Sequence, residues 1–328
     1  MGKTSERQKV SVGVPQGSIL GPLLFTIFIN DLPLSVTSNS NLNMYADDQT
    51  LLSSGFTISQ VNNLLQNDAN AVNNWITGNG MLINANKTKV MLVGSRHKLH
   101  NVDRSCDKID VIINDISISC VNFERSLGVT IDDVISWNKH IDNMCITLSQ
   151  RIGLLRRLHK LIPFHLRKIL YYGLIQSILD YCCVVWGNTS KTNIDRVYKM
   201  QKRALRVLLN ADFDTPSNDL FKAADVLSVK QRIFYFTCIL VFKYFENSVP
   251  TYIADMFMPL MNVHDYPTRA AISRKLLLPQ FRTESGQRTF VMRASRIWNS
   301  LPENLRCSPS LSIFKIQLKV FIKDNIDI

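Results

Sequence analysis

"LNMYADDQTLL" occupies residues 42–52 and sets two adjacent carboxylates, Asp47 and Asp48, between an apolar and aromatic run and an apolar pair. Successive side chains of a strand point to opposite faces, so two neighbouring acids cannot both reach one ligand from mid-strand. A turn removes the objection, because turn residues leave the alternation and can present a carboxylate at the tip. The stretch therefore reads as two short strands joined around Ala46-Asp47-Asp48. If these acids serve a hard cation such as Mg²⁺, which takes roughly six oxygens, further ligands must come from elsewhere.

Upstream, "VGVPQG" (12–17) is a loop by composition. It opens into "SILGPLLFTIFINDLP" (18–33), apolar at helical spacing, with Ser18 as N-cap and Pro22 in the first turn. This spacing predicts a buried helix. Downstream, Val61, Leu64, Leu65, Ala69, Val72 and Trp75 mark one face of a long helix that "TGNG" ends. A strand is predicted at 90–93, a hairpin at 111–118 around Asn114-Asp115, and a further strand in "FERSLGVTID". The part up to about residue 133 is thus α+β, with sequential strands that could form an antiparallel sheet backed by helices. From Trp137 the pattern is helical: 141–159, 163–186, 194–210 and 229–245. The domain boundary is placed near 132–138.

The chain has 328 residues, 46% hydrophobic and 20% charged, which describes a folded protein with a real core and excludes disordered and collagen-like classes. The net charge of +12 is unevenly placed. Residues 1–150 carry 11 Lys+Arg against 13 Asp+Glu, and residues 151–328 carry 27 against 13. So basic a half favours a polyanionic partner, nucleic acid or an anionic membrane surface, with a soluble basic surface as the plain alternative. Seven cysteines without a CxxC pair argue against a zinc site or a disulfide framework and for a reduced intracellular protein, nuclear or cytoplasmic. The N-terminus has no secretory signal, and the apolar runs at 19–29, 169–186 and 233–245 read as core helices without a membrane role.

A glycine loop opening a helix, followed about thirty residues later by an acidic hairpin, suggests phosphate chemistry. Gly13 and Gly17 would let a nucleotide or strand approach the backbone, and Gln16 could offer a donor and an acceptor. The two carboxylates would hold Mg²⁺, and two such ions about 4 Å apart stabilise the attacking and leaving oxygens of an in-line displacement.

"GVPQGSILGPLLFTIFINDLP" followed by "MYADDQTLL" resembles the central motifs of reverse transcriptases of non-LTR retrotransposons, near the jockey-like groups. The likeness continues through "INANKTKVMLVGS", "SLGVTIDD", "SWNKHI", "LDYCCVVWGN" and the segment 268–306, and so covers nearly the whole chain. The resemblance implies RNA-directed DNA synthesis with an RNA template, a DNA primer and deoxynucleoside triphosphates. It makes Asp47 the principal metal ligand with Asp48 beside it, and sets Tyr45 and Ala46 next to the primer end. Pro15, Gln16 and Gly17 would shape the pocket for the template base and incoming nucleotide. Lys87 would place a cation near the leaving pyrophosphate, with Lys89 as its rival. Leu127 and Gly128 would lie in a primer-gripping hairpin. The implied organisation is a partial polymerase palm (1–133), a helical thumb-like region (134–210) and a helical, basic C-terminal region (211–328).

In that family the first catalytic aspartate lies upstream of the glycine loop, and "MGKTSERQKVSV" supplies neither it nor the fingers. The chain thus resembles the second half of such a polymerase and is expected to be inactive by itself. The alternative is a non-catalytic nucleic-acid-binding remnant that uses its basic C-terminal half. There Arg269, Arg274, Lys275, Arg282, Arg288, Arg293 and Arg296 face a single acid, Glu284, with Phe281, Phe290 and Trp298 interleaved. Arginines reach phosphates and aromatics stack on bases, which makes this a single-strand-binding candidate. The competing reading is a solvated arginine face over core aromatics.

Overall fold

The computed structural model describes residues 13, 17–36, 40–100, 109–262 and 273–325. The chain forms two compact units, 1–124 and 125–328, each mixed or helical as its sequence pattern dictates. The division falls within a strand, at Phe123–Ser126.

In the first unit, α1 (Gly21–Phe28) begins with Pro22, and the Ser18 hydroxyl accepts from the Gly21 amide at 2.9 Å. The helix forms where the apolar spacing places it but is not buried. Leu23, Leu24, Ile27 and Phe28 are all exposed, Ile27 by 63%, and among the residues of α1 Gly21 alone is buried. Helical spacing selects a face without supplying something to cover it. Strands β1 (Asn41–Tyr45) and β2 (Asp48–Leu52) pair antiparallel, with Tyr45 opposite Asp48. Leu42 and Met44 alternate inward onto Leu32 and onto Val72 and Ile76 of α2 (Ile58–Gly78). Thr57 caps α2 by accepting from the Gln60 amide, and the Gln60 side chain accepts from Phe56.

A second face of α2 packs on Ala85, Val90, Val111, Ile113 and Ile118. Its polar edge holds the following hairpin like a neighbouring strand: Gln66 donates to and accepts from the Ile112 backbone at 2.8 Å, and Asn62 accepts from Asp110 N–H. That hairpin is β3 (Ile112–Ile113) and β4 (Ile116–Ser117), turned by Asn114 and Asp115, both left-handed as a type I′ turn requires. A five-residue helix, α3 (Arg96–His100), precedes it. The strand predicted at 90–93 reduces to one parallel bridge, Val90 to Cys120. "FERSLGVTID" forms two strands where one was expected, β5 (Phe123–Ser126) and β6 (Val129–Asp132). The described strands make three separate two-stranded hairpins, and no continuous sheet joins them.

The second unit is helical. Its first core gathers α4 (Asn138–Leu158), α5 (Phe164–Tyr171), α8 (Lys191–Leu209) and α9 (Ser217–Ala224) around Ile141, Leu148, Trp186 and Leu205. The helix predicted over 163–186 is broken. After α5 comes a π turn (Tyr172–Gln176), then α6 (Ser177–Asp180), then a left-handed Cys182 before α7 (Cys183–Trp186). Buried polar groups stabilise the break: Tyr171, Gln176 and Asp180 are bonded in sequence, and Gln201 donates to Tyr171 and Leu227 while accepting from Val229 N–H. Arg232 closes the network on Asp180 with two hydrogen bonds.

Helix α10 (Val229–Phe245) starts with a full capping box, Ser228 and Gln231, and ends where the spacing predicts. It is buried almost all round because it belongs to both cores. The second core includes α13 (Phe290–Ser300) and α15 (Leu311–Asp324), with Phe242 stacked on Phe314 at 4.4 Å and Trp298 fully buried. The short helices α11 (Thr251–Ala254) and α14 (Glu303–Arg306) complete it, and another short helix, α12 (Glu284–Gln287), precedes α13. No described helix is long and apolar enough to cross a membrane.

Candidate functional site

The acidic hairpin has a two-residue turn, Ala46-Asp47, closed by the Tyr45–Asp48 pair. Asp47 stands at the tip. Asp48 begins β2 on the outward face, which it shares with Tyr45, and all four residues are exposed. Ala46 adopts φ 53°, a left-handed conformation that costs an L-residue roughly 1–2 kcal/mol. The turn thus gives the two neighbouring acids different stations, one on the tip and one on the strand. Among the described residues no group of three His, Cys, Asp or Glu side chains gathers as a metal site. Hard carboxylate oxygens are nevertheless the donors Mg²⁺ takes, and it commonly takes only one or two of them beside waters and substrate phosphates. Asp47 and Asp48 fit that ion in donor type.

Gly13 and Gly17 have φ of 84° and 81°, and a Cβ on either would meet no atom of the described residues within 4 Å. Their glycines are therefore required by conformation. Pro15 and Gln16 lie outside the described residues. Lys87 and Lys89, left as rivals by the sequence, differ in their surroundings. Lys89 donates to Asn86 C=O at 3.1 Å and to the Ser119 hydroxyl at 2.8 Å, whereas the exposed Lys87 side chain has no partner among the described residues. Lys87 is the ammonium left available to a ligand.

In the second unit, Leu127 (φ 46°) and Gly128 (φ 84°) form the tip between β5 and β6. Tyr181 donates to Leu127 C=O at 2.5 Å, and its ring edge would lie 3.3 Å from a Cβ on Gly128. At the far end of β6, the buried Asp132 carboxylate accepts from Ser136 N–H, the Ser136 hydroxyl and Trp137 N–H, which starts α4.

The arginine series of the C-terminal region does not form one face. Arg269 lies outside the described residues. Arg274 pairs with Glu246 at 3.3 Å and lies over the rings of Phe242 and Phe245; Lys275 is partly buried. Arg293 donates to Val184 C=O at 3.0 Å, and burial pulls its guanidinium down to about 10. Arg282, Arg288 and Arg296 are exposed. Of the interleaved aromatics, Trp298 and Phe290 pack in the core, and Phe281 is 38% exposed. The vicinal Cys182 and Cys183 are packing and turn residues, the Cys183 thiol being pushed up to about 12 by burial.

One feature of the second unit escaped motif reading. A cleft of about 570 Å³ is lined by Arg125, Thr130, His140, Asn143, Arg151 and Tyr181, with Ile146 and Ser177 among its other walls. The signal for it in the sequence is an absence: residues 143–179 contain six Lys or Arg and no Asp or Glu.

Residues 1–142 match the family model described as reverse transcriptase (RNA-dependent DNA polymerase). The probable RNA-directed DNA polymerase from transposon BS of Drosophila melanogaster is 25% identical over 230 residues, which are 67% of this chain and 25% of that protein. The RNA-directed DNA polymerase from mobile element jockey of Drosophila funebris is 28% identical over 221 residues, 64% of this chain and 23% of that protein. A retrovirus-related Pol polyprotein from the type-1 retrotransposable element R1 of Nasonia vitripennis is 29% identical over 205 residues, 60% of each. The chain spans about a quarter of the length of the first two relatives. No solved structure matches.

Proposed function

We propose that this chain, reverse-transcriptase-like and of retrotransposon origin, supplies the acidic hairpin and the following helical, nucleic-acid-binding part of an RNA-directed DNA polymerase. The observation that carries the reading is the two-residue turn that holds Asp47 at an exposed tip and Asp48 beside Tyr45 on the outward face. In this reading Asp47 and Asp48 hold Mg²⁺ together with oxygens of the substrate, and the bound ion offsets charge on the phosphoryl group in transfer. A primer 3′-OH attacks the α-phosphate of a deoxynucleoside triphosphate and pyrophosphate leaves. Lys87 places its ammonium beside that leaving group. Gly13 and Gly17 leave the loop backbone open to the template base and nucleotide, and Tyr45 and Ala46 flank the primer end. The family pattern calls for a further aspartate ahead of the glycine loop, which the hairpin's two acids do not replace.

The metal role is tested without relying on activity. Fe²⁺ substituted for Mg²⁺ generates radicals under ascorbate and peroxide that cut the backbone near the ion. Cutting is expected around residues 45–48, quenched by excess Mg²⁺ and lost in Asp47→Ala. Uncut hairpin, or cutting that survives both Asp47→Ala and Asp48→Ala, rejects the site. Template-dependent extension by the unsubstituted chain would show that its carboxylates suffice.

A further inference from the structure

We propose that this chain self-associates head to tail through its helical unit, the acidic turn at residues 212–215 of one copy seating Phe213 on the outward ridge of α15 of the next. The inference stands on surfaces outside the acidic hairpin and does not depend on the polymerase-like reading.

The turn lies between α8 and α9. Helix α8 ends at a left-handed Asn210, and the chain then folds back so that Thr215 N–H donates to Asp212 C=O at 3.3 Å. Phe213, within the turn, is 88% exposed. It is nevertheless held: the Arg206 guanidinium lies 5.3 Å from the ring centroid, and one Nη donates to Thr215 C=O at 3.2 Å. An aromatic side chain already fixed by its own turn loses little freedom when a partner covers it. Asp212 and Asp214 flank it, both exposed and neither with an ion-pair partner among the described residues.

The ridge is its complement. Phe314, Leu318 and Ile322 bury the inner face of α15, while Ile313, Ile316 and Val320 form a stripe on the outer one, exposed by 42%, 67% and 55%. Lys315, Lys319 and Lys323 follow at four-residue spacing along one side of the stripe. Lys323 is bonded to Asp225 at 2.6 Å, and Lys315 and Lys319 have no ion-pair partner among the described residues. The stripe runs about 10 Å along the helix, the reach of one aromatic ring with an Asp on either side. Docking puts Phe213 against branched aliphatic side chains and its two acids on two unpaired lysines.

Turn and ridge belong to one unit and leave each other exposed, so the contact forms between copies. Two antiparallel ridges would instead set lysine row against lysine row. Unlike patches make a heterologous contact, which adds copies in series. A single turn on a three-residue stripe is far smaller than the roughly 20–30 residues a side of a stable interface, so association is weak and concentration-dependent.

Sedimentation velocity of the full chain over about 1–300 µM tests this. The sedimentation coefficient should rise with concentration, and Phe213→Ser and Ile316→Ser should each weaken association about tenfold, with circular dichroism confirming folding. A charge exchange reads the pairing itself. Asp212→Lys with Asp214→Lys makes one variant, and Lys315→Glu with Lys319→Glu makes another. Each alone sets like charges at the contact and should be monomeric, whereas their equimolar mixture should associate as the unsubstituted chain does, because every turn again meets an opposite ridge. The proposal fails if the unsubstituted chain stays monomeric throughout or if the charge-exchanged mixture does. It fails equally if Ile316→Ser abolishes association and Phe213→Ser leaves it unchanged, the result of ridge-to-ridge pairing, or if neither substitution alters it.

Discussion

Two hairpin tips in this chain use the same local device and have opposite surroundings. Ala46-Asp47 and Leu127-Gly128 each connect short strands through a two-residue turn, left-handed at Ala46 alone in the first and at both residues in the second. The first is open, with its turn residues exposed and its neighbours Tyr45 and Asp48 facing outward. The second is braced, with Tyr181 bonded to its tip and Asp132 tying its far end to the start of α4. A tip that must meet an ion and a substrate gains from being unoccupied. A tip that must hold a position gains from being tied.

Four substitutions or conditions break or sharpen this contrast. Asp132→Ala removes the acceptor for three donors at the junction of β6 and α4 and should cost the second unit about 3 kcal/mol, read as a lowered urea midpoint. An unchanged midpoint would mean the hairpin is not braced from that end. Gly128→Ala places a Cβ 3.3 Å from the Tyr181 ring at a left-handed position and should cost about 1–2 kcal/mol by the same measurement. Acidification is the third lever. The folded His140 sits below its ordinary value, so the unfolded chain takes up a proton first. Stability of the second unit is then fully present above about pH 6.5 and falls as pH drops toward the folded value, by at most one proton's slope. His140→Gln should flatten that dependence; a midpoint that rises on acidification would reverse the sign. The smallest effect is at the open tip: Ala46→Gly relieves left-handed strain and should stabilise the first hairpin by roughly 0.5–1 kcal/mol, seen as slower amide exchange at Tyr45 and Asp48. Opposite signs for the two glycine–alanine exchanges are the sharpest form of the comparison.

The acidic tip and the Asn114-Asp115 turn were legible in the sequence, and so were the end of α2 and both ends of α10, because capping and turn chemistry act over three or four residues; the residues of the Leu127-Gly128 tip read as a single strand, and only the family resemblance implied a hairpin there. Thr57 and Ser228 cap from within reach of their own amides, and Asn114-Asp115 accepts left-handed backbone wherever it occurs. Helical spacing failed where the outcome depended on distant partners. It called for a buried α1, yet the helix keeps Leu23, Leu24 and Ile27 exposed. It ran one helix through 163–186, where bonding among Tyr171, Gln176, Asp180 and Arg232 accommodates a π turn.

By itself, then, the sequence determined the acidic hairpin, the presence of a glycine loop, the helical second half and its excess of positive charge. Only the tertiary structure decided which charges are available. Lys89 is bonded within its unit and Lys87 is not; Arg293 is spent on Val184 C=O, while Arg156, Arg157 and Lys160 face solvent. Local conformation follows from a residue and its near neighbours, but whether a cation can meet a ligand depends on acceptors tens of residues away, which only folding brings into reach.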